Sequence, residues 1–215
     1  MRRTVWTHKP FNLQEAIKYK NMILEAMKQF DVETVDLEDL TEDGLLFTVS
    51  DAERVADVFI REKVDAVFVP HCNFGSEESV ARLCKMVGKP VLLWGPKDYV
   101  NLEDLYRYRD SQCGLFATSK VLNVYGVPFS YIENCDIDDP KFTEGMNRFI
   151  AAASVVKAFR HLRIGQIGTR PGAFASVKCN EMELLERFGI EIIPITMTDL
   201  GDKLKKYEKE NEERI

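Results

Sequence analysis

Short apolar runs alternate with longer stretches of helical periodicity along most of the chain. Residues 64–69 are mostly apolar and β-branched, and polar and glycine positions follow at residues 71–75. Such a run predicts a strand that is buried on both faces of a parallel sheet. Ser76 then predicts the start of a helix, and Gly88 predicts its end. A second apolar run at residues 91–94 completes one strand–loop–helix–strand unit.

The same alternation extends from the amino end to the carboxyl end of the chain. It predicts further strands at residues 4–7, 32–37, 129–132, 162–168 and 190–195, and further helices after Asn12, after Ser50 or Asp51, at residues 115–125, 141–160 and 180–188, and after Thr198. This regularity is typical of α/β proteins. We predict a doubly wound parallel sheet, Rossmann-like or flavodoxin-like, for residues 1–160. The strand near residue 162 restarts the pattern, so we expect residues 161–215 to be the first part of a second α/β domain.

The composition narrows the class of protein. The 215 residues carry a formal net charge of -6, which argues against nucleic acid as a partner because phosphate binding needs clustered Lys and Arg. No apolar run reaches the length of a membrane span, and the amino end lacks the apolar stretch of a signal peptide. We therefore expect no membrane partner and a cytoplasmic location. The five cysteines are scattered singly, which favours reduced thiols over disulfides or a zinc site.

Ligands of open α/β sheets bind at the carboxyl ends of the strands, so the residues there are the first candidates for a site. His8 and His71 both follow predicted strands and could line one crevice. The alternative is that they are loop histidines satisfied by backbone groups. Phe74 could stack on a sugar ring, or it could cover the core as many loop aromatics do.

Several kinds of chemistry find little support in the sequence. The glycines at 165, 168 and 172 do not match the dinucleotide fingerprint, and no phosphate-binding loop occurs, so we expect no nucleotide cofactor. No histidine has a second ligand at helical spacing, so we predict no metal-binding residue in this chain. Cys72 and Cys113 have no neighbouring base in the sequence, which favours small buried side chains over nucleophiles.

One ordered set of motifs points to a family. Val-Asp-Ala-Val-Phe-Val-Pro begins at Val64, His-Cys-Asn-Phe-Gly follows, and Gly-Lys-Pro-Val-Leu-Leu-Trp begins at Gly88. Asp-Ser-Gln-Cys-Gly begins at Asp110, and Leu-Arg-Ile-Gly-Gln-Ile-Gly-Thr-Arg-Pro-Gly begins at Leu162. Together these motifs resemble the amino-terminal region of the L-fucose isomerase and L-arabinose isomerase superfamily, and the similarity spans nearly all of the chain.

The resemblance implies an aldose–ketose isomerase that uses a divalent metal, commonly manganese, and forms a homo-oligomer. Its metal ligands and catalytic residues are expected in a later part of the protein, so it implies no catalytic residue here. The first domain is expected to cover the sugar site of a neighbouring subunit. The substrate-binding residues that we predict are Thr7, His8, His71, Asn73, Phe74, Ser111 and Gln112. The alternative function is a non-catalytic sugar-binding or regulatory module of the same fold.

Overall fold

The computed structural model describes residues 12–211, apart from the side chain of Glu42. The elements are α1 (Leu13–Met27), α2 (Val49–Arg61), β1 (Val67–Pro70), α3 (Glu77–Val87), β2 (Val91–Trp94), α4 (Ser111–Val124), β3 (Ser130–Tyr131), α5 (Pro140–Phe159), β4 (Arg163–Ile167), α6 (Glu181–Phe188), β5 (Glu191–Ile195) and α7 (Met197–Glu210). The chain divides into two compact units, and the division falls between Ala153 and Ser154, within α5.

A three-stranded parallel sheet lies at the centre of the first unit. Its order is β1-β2-β3, with Val67 opposite Val91 and Leu92 opposite Ser130. β2 is the middle strand, and all four of its residues are buried, as expected for a strand with both faces covered. The first unit is therefore a mixed α/β structure built on a small parallel sheet.

Helices cover both faces of this sheet. On one face, Val67, Val69, Val91 and Leu93 join a buried cluster with residues of α2, α3 and α4. The other face presents Leu92 and Trp94 to residues of α1 and α5. The rings of Trp94 and Phe142 lie 4.7 Å apart in that second cluster. Because adjacent strand residues point to opposite faces, β1 and β2 each contribute to both parts of the core, whereas both residues of β3 are exposed.

Glycines and polar caps end and begin several helices where the sequence predicts them. Asn12 accepts a hydrogen bond from the Gln14 backbone N–H at the start of α1. Gly88 ends α3 with φ +62°, a left-handed conformation in which a side chain is strained. Two other caps differ from the prediction, because Thr48 caps α2 in a capping box with Asp51, and Thr196 caps α7.

Two other predictions are wrong in detail. Residues 32–37 form no strand among the described residues, and their apolar members Val32 and Val35 remain more than one-third exposed. Only the alternation of apolar and polar residues predicted that strand. An exposed segment gains neither interstrand hydrogen bonds nor burial by adopting an extended conformation. α4 begins at Ser111, four residues earlier than its apolar periodicity indicates.

The second unit contains a two-stranded parallel sheet of β4 and β5, with Arg163 opposite Glu191 and Ile167 opposite Ile195. Asn180 caps α6, and the ring of Phe188 near its end packs edge-on against Phe159 at 5.4 Å. Separately, none of the helices between residues 12 and 211 has the length and apolarity needed to cross a membrane.

Candidate functional site

The loop after β1, residues 71–75, is held against β2. His71 N–H donates to the carbonyl oxygen of Trp94 at 2.7 Å, so the ladder continues one residue past the strand. His71 is 3% exposed, and its Nδ1 lies 3.0 Å from the carbonyl oxygen of Phe74. Because a carbonyl only accepts, Nδ1 carries the proton and Nε2 presents a lone pair. Burial lowers the pKa of His71 to about 4, which keeps the ring neutral near pH 7.

Asn73 joins three parts of the chain. Its Nδ2 donates to the carbonyl oxygens of Asn12 at 3.3 Å and Tyr108 at 3.1 Å. Its Oδ1 accepts from the backbone N–H of Phe74 at 2.9 Å and of Asp110 at 3.3 Å. The side-chain amide therefore fixes the positions of the start of α1, the residues before α4 and its own loop.

The amino end of α4 packs against this loop at two glycines. A Cβ added to Gly114 would lie 2.0 Å from the carbonyl oxygen of Phe74, so only glycine permits this approach. A Cβ added to Gly95, directly after β2, would lie 3.1 Å from Ser111 Cβ and 3.4 Å from His71 Cβ. His71 and Ser111 both flank Gly95, and we call them the His71–Ser111 pair.

The His71–Ser111 pair holds two buried polar atoms that are unsatisfied within residues 12–211. Ser111 is fully buried, and among the residues that the structure describes neither His71 Nε2 nor Ser111 Oγ has a hydrogen-bond partner. Such a group lowers stability by about 1–3 kcal/mol, and native proteins retain few of them. The imidazole nitrogen accepts a hydrogen bond, and the hydroxyl donates or accepts one. Each of the two atoms thus has the capacity to hydrogen-bond a hydroxyl group.

Two charged residues frame the amino end of α4. Asp98 accepts the backbone N–H of Gln112 on Oδ2 at 3.0 Å, so its carboxylate lies at the positive end of the helix. Arg109 is 5% exposed, donates to the carbonyl oxygen of Lys97 at 2.5 Å, and lies 3.6 Å from the ring centroid of Tyr19. Arg109 Nε is also 3.8 Å from Asp98 Oδ1. These contacts anchor the segment before α4 to α1.

The structure brings five of the seven predicted site residues together. His71, Asn73 and Phe74 share one loop, and Ser111 and Gln112 form the first turn of α4 beside it. The Gln112 side chain is exposed, whereas Phe74 is half-buried. The other two, Thr7 and His8, lie outside the described residues.

Asp98 and Arg109 were not among the site residues predicted from the sequence. The sequence position of Asp98 could have identified it. An acidic residue shortly after a buried strand lies at the carboxyl edge of the sheet, where ligands and helix ends meet. Arg109 had no such signal, because its partners are a carbonyl 12 residues earlier and an aromatic ring on α1. Only the folded chain shows that this arginine is buried.

The cysteines and acidic groups give no sign of a second kind of chemistry. Burial raises the pKa of Cys72 to about 12, so this thiol is not a nucleophile near pH 7. A hydrogen bond to Asp110 raises the pKa of the exposed Cys113. Within residues 12–211, no three His, Cys, Asp or Glu side chains converge as metal ligands. The described residues therefore do not fit the divalent metal that the resemblance implies.

Comparison with known proteins identifies relatives. A family model described as the N-terminal domain of fucose/sulfoquinovose isomerase matches residues 5–160, and it confirms the resemblance found in the sequence. Proteins named sulfoquinovose isomerase from Priestia aryabhattai and Priestia megaterium (strain ATCC 12872 / QMB1551) are each 24% identical over 184 residues. The matched region covers 86% of this chain and 40% of each relative. The chain thus spans about two fifths of the length of these relatives.

Proposed function

Because the chain belongs to the fucose/sulfoquinovose isomerase N-terminal domain family, we propose that it is the amino-terminal part of an aldose–ketose isomerase. Its first unit supplies a wall of the sugar site at the carboxyl ends of β1 and β2. The wall consists of the His71–Ser111 pair together with Phe74 and Gln112. Its task is to bind and orient the sugar, while the proton-transfer chemistry belongs to residues elsewhere in the complete protein.

The observation that carries this proposal is the His71–Ser111 pair. Within residues 12–211 its two buried polar atoms have no partner. They destabilise the fold, and replacing them with apolar groups would remove that cost. Binding sites use such groups to contact a ligand. Both atoms are buried, and loop 71–75 is held by hydrogen bonds, so binding of a sugar hydroxyl must displace local packing to reach them. Gly75, at φ +83°, is the residue in that loop with a left-handed backbone.

The neutral form of His71 suits this role. A ring with a pKa of about 4 accepts a hydrogen bond from a hydroxyl without introducing a buried charge. Near it, the positive end of α4 is already filled by the Asp98 carboxylate. The wall therefore binds a sugar through hydroxyl groups, as a neutral polar surface.

The remaining features of the whole protein are also proposals. The manganese or other divalent metal belongs to residues outside those described, since the described ones do not form a ligand set. The complete protein is a homo-oligomer in which this wall covers the sugar site of a neighbouring subunit. A doubly wound arrangement of the complete sheet fits the helices found on both faces of β1-β2-β3.

An isomerase assay of the complete protein tests the proposal. With manganese present, it should form ketose from L-fucose, L-arabinose, sulfoquinovose or a related aldose. Binding of these sugars without any ketose formation would instead support the non-catalytic sugar-binding module. If the protein neither binds nor converts any of these sugars, the proposal is overturned. The substrate with the highest kcat/KM identifies the sugar.

A further inference from the structure

We propose that Asn73 is a positioning residue that holds the 97–110 loop in place and thereby fixes the position of Ser111. The 97–110 loop leaves the end of β2 and returns to the start of α4. This inference deepens the proposed function, because it names the residue that holds the sugar-facing wall in register. It also replaces the expectation that Asn73 itself binds sugar.

The 97–110 loop has order of its own but projects away from the core. Val100 and Arg107 pair in an antiparallel bridge, and Asn101 N–H donates to the carbonyl oxygen of Tyr106 at 2.8 Å. At its tip, Leu102 and Leu105 are 87% and 76% exposed. Burial of the tip therefore contributes little to fixing the loop, and its position depends on contacts at its base.

Arg109 and Asn73 are among the residues that hold that base, and they act at opposite ends of it. Arg109 joins the outgoing end, through the carbonyl oxygen of Lys97, to the ring of Tyr19 on α1. Asn73 holds the returning end, through the carbonyl oxygen of Tyr108 and the N–H of Asp110. Asp110 directly precedes Ser111, so the bond to its N–H controls where α4 begins.

The Asn73 amide has no capacity left for a ligand. An asparagine side chain offers two N–H donors and an oxygen with two lone pairs. Both donors go to carbonyl oxygens, of Asn12 and Tyr108, and the oxygen accepts from two backbone N–H groups. A sugar hydroxyl could bind to this amide only by breaking one of these bonds. Asn73 therefore acts on substrate through the segments that it holds.

Hydrogen exchange of the 215-residue chain directly tests whether Asn73 restrains the 97–110 loop. In Asn73→Ala, backbone amides of residues 97–110 should exchange at least tenfold faster, while those of α2 and α3 change by less than twofold. Asn73→Asp should have the same or a larger effect, because it sets a carboxylate oxygen against the carbonyl oxygens of Asn12 and Tyr108. Asn123→Ala, at an exposed asparagine on α4, is the matched control and should match the wild type.

Two results would overturn the inference. Unchanged exchange in residues 97–110 would show that Asn73 does not hold the loop. Equal acceleration throughout the first unit, including α2, would show a general structural role instead. Exchange needs no enzymatic activity, so this test stands even if the proposed function fails.

Kinetics of the complete protein provide the second readout. Asn73→Ala should lower kcat/KM at least tenfold, mainly through a higher KM, because a misplaced wall weakens sugar binding. Accelerated exchange combined with wild-type KM and kcat would contradict positioning of the wall. A wild-type protein inactive on every aldose would refute the proposed function, and the exchange result would then alone decide the role of Asn73.

Discussion

Replacing Gly114 with alanine should disrupt the packing of loop 71–75 on α4. The added Cβ would lie 2.0 Å from the carbonyl oxygen of Phe74, and ordinary contact begins at 3.4 Å, so the carbonyl must retreat by about 1.4 Å. That carbonyl also accepts from His71 Nδ1 at 3.0 Å, so retreat weakens a buried hydrogen bond. Overpacking costs about 1–3 kcal/mol and the lost bond about 1 kcal/mol.

Alanine gains about 0.5–1 kcal/mol over glycine in a helix, so the net loss should be about 1–3.5 kcal/mol. For a chain of this size, that loss lowers the Tm by about 2–14 °C. Thermal and urea unfolding followed by circular dichroism measure both quantities. The contact joins the new Cβ to backbone atoms of Phe74, so no rotamer change relieves it.

Two further glycines supply matched controls. In Gly145→Ala the new Cβ lies 2.5 Å from Ile132 Cγ1, a less severe approach than at Gly114 and to a side chain instead of backbone, so the loss should be smaller. Gly201→Ala, in α7, meets nothing within 4 Å and should be neutral or slightly stabilising. A Gly114→Ala protein within about 0.5 kcal/mol of the wild type, or less affected than Gly145→Ala, would refute the packing argument.

Two further predictions concern titration and reactivity. Burial lowers the pKa of His71 from 6.5 to about 4, so the unfolded chain binds this proton first as pH falls. The part of the folding stability that depends on a neutral His71 is thus fully present above pH 6.5. About 3 kcal/mol of it is lost as pH falls from 6.5 to 4. NMR should show the ring neutral at pH 5.5, and a midpoint above pH 6 would contradict its burial. In the native protein, a thiol reagent should label Cys113 and Cys179, and the three buried cysteines only after unfolding; rapid labelling of five thiols would contradict the packing.

Hydrophobic spacing predicted much of the fold because the central strand is buried on both faces and the helices around it bury one face each. The run at residues 91–94 became the fully buried β2, and α3 lies between Ser76 and Gly88 as its cap residues indicate. Such local signals act within a few residues, where side-chain pattern and backbone preference agree. The segment 32–37 shows the limit of this reasoning, because alternation cannot reveal whether a neighbouring strand pairs with it.

The start of α4 shows a second limit. Its apolar periodicity begins near Leu115, but the helix begins at Ser111 because Asp98 accepts the N–H of Gln112 and Asn73 accepts that of Asp110. These partners lie 14 and 37 residues earlier in the chain. The sequence placed the loop after β1 near the start of α4, since both follow strands or begin helices. It could not show that Asn73 is fully occupied by backbone groups.

The central claim is that the His71–Ser111 pair faces sugar, and Ser111→Ala in the complete protein tests it most directly. We predict that kcat/KM for the aldose falls at least tenfold, the loss expected for one hydrogen bond of about 1.4 kcal/mol. Stability should stay equal or rise by up to about 1 kcal/mol, because an unsatisfied hydroxyl is removed. Ser119→Ala, whose hydroxyl donates to the carbonyl oxygen of Phe116 within α4, should retain wild-type kcat/KM. An active wild type with kcat/KM of Ser111→Ala within twofold of it would contradict the claim.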